Sequence, residues 1–454
     1  MVGVSGLRGR VGSCLTPELV TSISAAFSAF LRSEGSDGPV YLGRDSRTSG
    51  RMLSDAARAG LVSTGTDVIE VGLVPTPTIL LAARDAGASG AIAVTASHNP
   101  AEWNALKLAG PQGRFLDARE MTRFRRFLAG TPTRRAGWDR LGSVREDPAA
   151  VDRHIGRILE LPYLDVERLR ARRFRVALDC VRGAGGVIMP ELLAELGCVV
   201  SGMETEPDGR FPRDPEPAAA NLGGLGRLVR DSGSDLGLAV DPDVDRLSLV
   251  DSHGEPLGED LTLALCVALV LGRRRAGAVV ANLSTSRVVE DVARALGGRM
   301  IRAPVGEVNV SRRMEKAGAV VGGEGNGGVI LPELHLTRDG VLASALLLEH
   351  LAEEDTGLAE AAARWPAYTI VKEKLALPRD RIGAGYRAIA SSLRGGEEDT
   401  TDGLRVDWPT RGEWIHVRPS GTEPVVRVIG EARSGARAEE LVARAGAILA
   451  AAGD

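Results

Sequence analysis

Residues 40–50 (VYLGRDSRTSG) set a short β-branched and aromatic run before a polar loop; a helical pattern follows, and then a second apolar run at TDVIEVG (66–72). The same layout recurs at RVALDCVRGAGG (175–186) with GCVVSGM (197–203), and again at AVVANLSTSR (278–287) with GGRMIRA (297–303). Each strand-to-strand spacing is roughly 20 to 30 residues, which is what a βαβ unit needs. Three related α/β units in series are therefore expected. A strong helix near the start fits the same scheme. Thr16 can cap it, Pro17 suits its first position, Leu19, Ile23, Ala26, Phe27, Phe30 and Leu31 repeat at helical spacing, and Gly35 ends it.

Pro, Gly and charge interrupt the pattern near 130–142, 251–258 and 364–373, which divides the chain into 1–142, 143–252, 253–365 and 366–454. The last unit has a different texture. Its DGLRVDWPTRGEWIHVRPSGTEPVVRVIGEA reads as strand, turn, strand, loop, strand and a closing helix, an α+β unit, while 395–402 reads as an exposed loop. The expected fold class is α/β: three similar α/β domains in series plus a smaller C-terminal α+β domain, around a central cleft.

A length of 454 residues is too great for one core and agrees with roughly three or four domains of about 100 to 150 residues each. With 56 basic and 60 acidic residues there is no global cationic field, so neither nucleic acid nor membrane is an expected partner, and any anion must be caught by local groups. Cys14, Cys180, Cys198 and Cys266 match no zinc spacing and read as reduced core cysteines. The longest apolar run, Leu261 to Leu271, is too short to cross a bilayer, and the start carries no apolar segment with a cleavage site. A soluble cytoplasmic protein is expected.

Four strings carry candidate chemistry. TASHNP (95–100) follows the apolar run Gly90–Val94 and exposes a serine at a strand end. In LGLAVDPDVDRLSLVD, Asp241, Asp243 and Asp245 crowd a loop between two apolar runs, where their mutual repulsion calls for a cation, most simply a hard divalent ion with oxygen ligands. An EF-hand is excluded, since its sixth place holds Arg246 and its twelfth Ser252. GGEGNGGVI (322–330) formally contains G-x-G-x-x-G, but Val-Ile-Leu-Pro opens no helix, so no dinucleotide site is expected. Glu324 and Asn326 between glycines suit the hydroxyls of a sugar instead. RPSGTEPVVR (418–427) combines Arg418, Ser420, Gly421, Thr422 and Arg427, a set able to hold a dianionic phosphate without a Walker lysine.

In that order and at those separations, TASHNP, DPDVDR, GGEGNGG and RPSGTEP resemble the four active-site loops of the α-D-phosphohexomutase family, which includes phosphoglucosamine mutases, phosphomannomutases and phosphoglucomutases. The resemblance spans the whole chain, one loop per domain. It implies an isomerase that interconverts hexose 6-phosphate and hexose 1-phosphate through a phosphoserine and a 1,6-bisphosphate. Ser97 would carry the phosphoryl group, with His98 and Asn99 shaping its loop. Asp241, Asp243, Asp245 and an oxygen on Ser97 would hold one Mg2+ per chain. Lys107 would be the general acid/base, Arg8 and Arg246 would line the site, and Glu324 would grip sugar hydroxyls. The RPSGTEP loop would hold the non-reacting phosphate, hexose 1,6-bisphosphate would act as activator, and the chain would be a monomer or homodimer.

The third loop departs from the family's usual Gly-Glu-x-Ser-Gly-His: Asn326 stands for the serine and Gly328 for the histidine. His335 is the nearest replacement in the sequence. An amide at 326 tolerates an amine or a hydroxyl on the second sugar carbon, so use of at least two hexose phosphates is expected. Glucosamine phosphate is the first expectation, from overall length and the compact SGLRG start, with mannose or glucose phosphate as alternatives. From other classes, a haloacid-dehalogenase-type phosphatase with Asp241 as nucleophile and a non-catalytic sugar-phosphate binder remain open.

Overall fold

The computed structural model describes residues 2–3, 6–130, 132–420 and 425–453. Each of the three recurring patterns forms a strand, a helix and a second parallel strand: Val40–Arg44, Gly50–Val62 and Val68–Leu73; Arg175–Asp179, Gly185–Glu195 and Val199–Met203; Gly277–Asn282, Arg287–Ala295 and Gly298–Ala303. A second helix then returns the chain to a third parallel strand on the other side of the first, at Gly90–Val94, Leu236–Val240 and Val321–Glu324. In every unit the chain then reverses, through the loop 95–102, 241–246 or 325–327, into an antiparallel fourth strand, Trp103–Ala109, Leu247–Val250 or Gly328–Ile330.

This common order has a direct consequence for function. TASHNP, DPDVDR and the glycine-rich third string all occupy the same place in their repeats, the turn from third to fourth strand. That turn lies outside the carboxyl end of a parallel strand, where α/β sheets collect ligands.

The helix Pro17–Ser33 forms as expected, with Thr16 Oγ1 accepting from Leu19 N and Gly35 turning the chain at φ 84°. Val144–Glu146 joins the first sheet beside Val68–Leu73, so chain beyond position 142 returns to the first unit. The run Leu261 to Leu271 lies within the helix Asp260–Arg274, which packs on Gly340–Glu353; both are buried nearly all round. None of the described helices is long and apolar enough to cross a membrane.

The fourth unit is a five-stranded antiparallel sheet closed by the helix Gly435–Gly453. Two expectations need correction. Within 395–402, Glu397–Asp399 is an edge strand paired with Leu404–Trp408, and its acidic side chains face solvent, which protects an edge from further pairing. All four cysteines are free, but only Cys180 and Cys266 are buried; Cys14 is exposed in the turn after Gly6–Arg10 and Cys198 is half-buried.

One apolar core runs without a break through the first three units, from Tyr41 and Ile79 through Leu178 and Leu192 to Leu265 and Leu346. The fourth unit has its own core around Leu377, Ile389, Ile415, Val428 and Leu449.

Candidate active site

Ser97, three residues beyond the strand Gly90–Val94, takes a left-handed conformation, φ 51°, which a non-glycine residue adopts at a cost of about 1–3 kcal/mol. The loop is held there by hydrogen bonds. Thr95 Oγ1 accepts from Ser97 N at 2.9 Å and donates to Asp45 Oδ2 at 2.6 Å. Beneath it, Arg47 donates to the carbonyls of Ser97 and Asn99, each at 2.5 Å, of Pro100 at 2.7 Å and of Trp103 at 2.9 Å, while its Nε meets Asp45 at 3.2 Å. Arg8 Nη1 donates to Asn99 Oδ1 at 2.9 Å.

Asp241, Asp243 and Asp245 come to the same point. Ser97 Oγ donates to Asp241 Oδ2 at 2.7 Å, and His98 Nδ1 lies 3.3 Å from the same hydroxyl. Asp241 Oδ1 accepts the backbone N–H groups of Asp245 and Arg246, and the left-handed turn at Val244 (φ 59°) folds the loop back. Asp243 Oδ2 accepts from Lys107 Nζ at 2.7 Å and from Thr76 Oγ1 at 2.8 Å. Lys107 Nζ also stands 3.7 Å from Asp245. Arg246 pairs with Glu216 at 3.1 Å.

These carboxylates fit a divalent cation. Each of the three can offer an oxygen within 4.8 Å of the others, and Asp243 Oδ1 and Asp245 Oδ1 are buried without a hydrogen-bond partner. A buried anionic oxygen left unpaired is costly, and a hard cation removes that cost. Burial and the charges of Asp245 and Asp243 hold the Asp241 carboxyl well above its ordinary range. Burial also pushes Asp243 upward, but Lys107 and Thr76 outweigh it and keep Asp243 ionised. For Lys107, burial favours the neutral amine, yet Asp243 and Asp245 win and the ammonium is stabilised. Burial first, and then Arg246 and Arg8, keep His98 neutral.

Glu324, at the end of Val321–Glu324, is buried. Its Oε1 accepts from Asn282 Nδ2 at 2.7 Å and from Gly306 N at 2.9 Å; its Oε2 accepts from Arg338 Nη1 at 2.8 Å. Arg338 also reaches Asp245 at 2.5 Å, so the third string joins the metal loop through one guanidinium. Asn326 Oδ1 accepts from Gly328 N at 3.3 Å, which leaves its NH2 as the group on offer.

His335 does not take the place left open at 328. Its Nε2 bonds Asp339 at 2.8 Å, beside His154 on the same carboxylate oxygen, because Asp339 caps the buried helix Gly340–Glu353. The side chain packed against Gly328 is that of Arg338.

Arg418 and Arg427 stand in register on adjacent strands of the fourth unit, and Lys374 is opposite Arg427 on the next. Like charges directly opposite repel, so this cationic row suits an anion. Ser420 is buried and its N–H closes the loop onto Val425 O at 2.8 Å; Gly421 and Thr422 lie outside the described residues. Arg418 Nε meets Asp402 at 3.0 Å, and Asp402 in turn accepts from Val305 N, next to the Gly306 that binds Glu324.

Arg47, Thr76, Arg338 and Lys374 carried no sequence signal as site residues. Arg47 lies in the first quoted polar loop, but nothing local says that it reaches 50 positions ahead to Ser97.

Comparison with known proteins agrees with this geometry. Family models described as phosphoglucomutase/phosphomannomutase alpha/beta/alpha domains I, II and III match residues 1–129, 152–254 and 258–368, and the C-terminal domain model matches 369–446. A phosphoglucomutase/phosphomannomutase of Thermococcus kodakarensis is 38% identical over 97% of this chain and 96% of its own length. A probable phosphoglucosamine mutase of Methanopyrus kandleri is 37% identical over 97% and 95%. The crystal structure of a phosphoglucomutase/phosphomannomutase family protein from Burkholderia thailandensis is 28% identical and superposes with a TM-score of 0.85, covering 99% of this chain and 97% of that one.

Proposed function

The chain belongs to the phosphoglucomutase/phosphomannomutase family, and on that premise we propose that it interconverts hexose 6-phosphate and hexose 1-phosphate, glucosamine phosphate first, with Ser97 as the phosphoryl carrier. It is a phosphohexomutase, an isomerase, and the phosphatase reading of Asp241 is dropped. The observation that carries the assignment of roles is the meeting of Ser97 Oγ with Asp241 at 2.7 Å, beside Lys107 on Asp243.

Phosphoryl transfer depends mainly on positioning and on charge placed where it develops. A Mg2+ held by Asp241, Asp243, Asp245 and an oxygen on Ser97, one per chain, would supply Lewis-acid withdrawal of charge from the phosphoryl group. The remaining work falls to the chain. The Arg47 fork and the Thr95 bond fix the loop that aims Ser97. Lys107, held as the ammonium, returns a proton to the serine oxygen as the phosphoryl group leaves, and His98, held neutral 3.3 Å away, can accept the proton of the incoming sugar hydroxyl. Arg8 and Arg246 add positive charge along the same wall. The bisphosphate then turns over, and Arg418, Ser420, Gly421, Thr422 and Arg427 hold the non-reacting phosphate in both orientations.

Glu324 binds the sugar, with Asn326 donating its NH2 nearby. A second reading, glucose or mannose phosphate as the main substrate, is favoured by the name of the Thermococcus relative, whose identity to this chain is no lower than that of the Methanopyrus one. Each of the four units contributes one loop, the first unit including the strand Val144–Glu146 beyond the expected boundary at 142. The enzyme works in the cytoplasm, as a monomer or homodimer, with hexose 1,6-bisphosphate as activator.

Side-by-side coupled assays of glucosamine, mannose and glucose 1- and 6-phosphates test this reading, with intact mass measured in parallel. The parent should carry one phosphate that Ser97→Ala lacks, turn over at least two of the sugars, and stop when magnesium is chelated. Near-full turnover by Ser97→Ala in the presence of bisphosphate would remove the carrier role.

A further inference from the structure

Glycine at position 328 is explained by one neighbour. Its backbone is not among the positive-φ positions, so conformation alone admits other residues. A Cβ there, however, would fall 2.3 Å from Arg338 Cδ and 2.9 Å from its Cγ, with Asn326 Oδ1 next at 3.1 Å. Arg338 has little freedom to give way. Its Nη1 holds Glu324 at 2.8 Å, its Nη2 holds Asp245 at 2.5 Å, Glu307 Oε2 lies 3.4 Å from its Nε, and its backbone N–H donates to Glu307 Oε1 at 3.2 Å. The residue is 8% exposed.

The bonds to Glu324 limit what that carboxylate can offer a sugar. Oε1 already takes two donors, from Asn282 and Gly306, and Oε2 takes one from Arg338. With about two lone pairs per oxygen, one acceptor site remains, and it lies on the oxygen that Arg338 orients. Glu324 therefore grips one hydroxyl or amine rather than two.

We propose that Arg338 is a positioning residue that sets sugar choice: it ties Asp245 of the metal loop to Glu324 of the sugar loop and fills the space that a side chain at 328 would take. This deepens the phosphohexomutase reading and rests on it. Metal on Asp245 and sugar on Glu324 then share one guanidinium, so a shift of the arginine is felt at both.

Two comparisons test the proposal in the full-length protein: Gly328→Ala made in the parent and in an Arg338→Gln background, and Arg338→Lys alone. The readouts are melting temperature, calorimetric binding of Mg2+ and of glucose 1-phosphate, and KM and kcat for glucose and glucosamine 1-phosphates. Gly328→Ala should raise KM about tenfold or more in the parent and by no more than about threefold once Arg338 is gone, because the clash goes with it. Arg338→Lys keeps the charge but not the fork. It should weaken glucose 1-phosphate and Mg2+ binding together by about tenfold and shift the ratio of kcat/KM between the two sugars. An equal effect of Gly328→Ala in both backgrounds, or parent-like KM and sugar ratio in Arg338→Lys, overturns the proposal. If the parent turns over no hexose phosphate, the functional reading fails separately, and the melting temperatures of the 328/338 set still judge the contact.

Discussion

Arg47 carries as much of the site as Ser97 does, although it touches no reacting atom. It is fully buried, and its donors are spent on four carbonyls in and just after the Ser97 loop and on Asp45. Those bonds offset the left-handed conformation of Ser97. Lysine has the charge but not the planar fork, so Arg47→Lys should lower stability by about 3 kcal/mol, reduce the phosphate found on Ser97, and lower kcat at least tenfold with little change in sugar KM. Chemical denaturation, intact mass and steady-state kinetics check this, and a variant with normal phosphate content would show that the loop holds itself. Ser97 and the three aspartates were legible because each sits in a short string whose residue types conflict with packing or with one another. Arg47, Thr76 and Arg338 were not, because their meaning lies in partners 50, 167 and 93 positions away.

Periodicity spoke more clearly for elements than for contacts. The three strand-helix-strand patterns are parallel pairs as read, and the equivalence of the three loops that carry the candidate site residues follows from a fourth, antiparallel strand that the patterns did not reveal. Glu397–Asp399 was missed because a three-residue, charged edge strand has no apolar face to alternate. Helix packing hid a similar detail. Gly60 lies where Gly50–Val62 crosses Pro17–Ser33, and a Cβ on it would fall 2.4 Å from the Thr21 carbonyl oxygen. Gly156, in the helix Ala150–Leu159, has nothing within 4 Å of that position. One substitution should thus have opposite signs: Gly60→Ala should destabilise by about 1–3 kcal/mol through forced separation of the helices, whereas Gly156→Ala should stabilise by about 0.5–1 kcal/mol through helix propensity. Urea melts of the two variants decide it, and the same sign for both would show that the helix crossing has slack.

At the scale of the molecule, the fourth unit is joined to the third largely by polar groups. Glu431 accepts from Arg287 N at 2.9 Å, Asp402 accepts from Val305 N at 2.9 Å, Arg405 reaches the Leu283 carbonyl, and His416 Nδ1 meets Ser284 Oγ at 2.9 Å. His416 Nε2 donates to the Asp402 carbonyl at 2.7 Å, which leaves Nδ1 to accept from Ser284. Burial first, with help from Arg405, lowers its pKa to about 4 against the Asp402 contact, which raises it. A histidine depressed in the folded state stabilises fully above its unfolded pKa near 6.5, and that contribution is lost as pH falls toward about 4. The shift is worth up to about 3 kcal/mol. His416→Gln keeps a donor and an acceptor but cannot titrate, so the parent should be the more stable of the two near pH 7 or equal to it, and should lose more of its melting temperature between pH 6.5 and 4. The carboxylates that titrate in the same window are common to both proteins and cancel in the difference. Parallel loss in parent and variant would mean that the titration of His416 does not set the acid sensitivity of the contact between the third and fourth units.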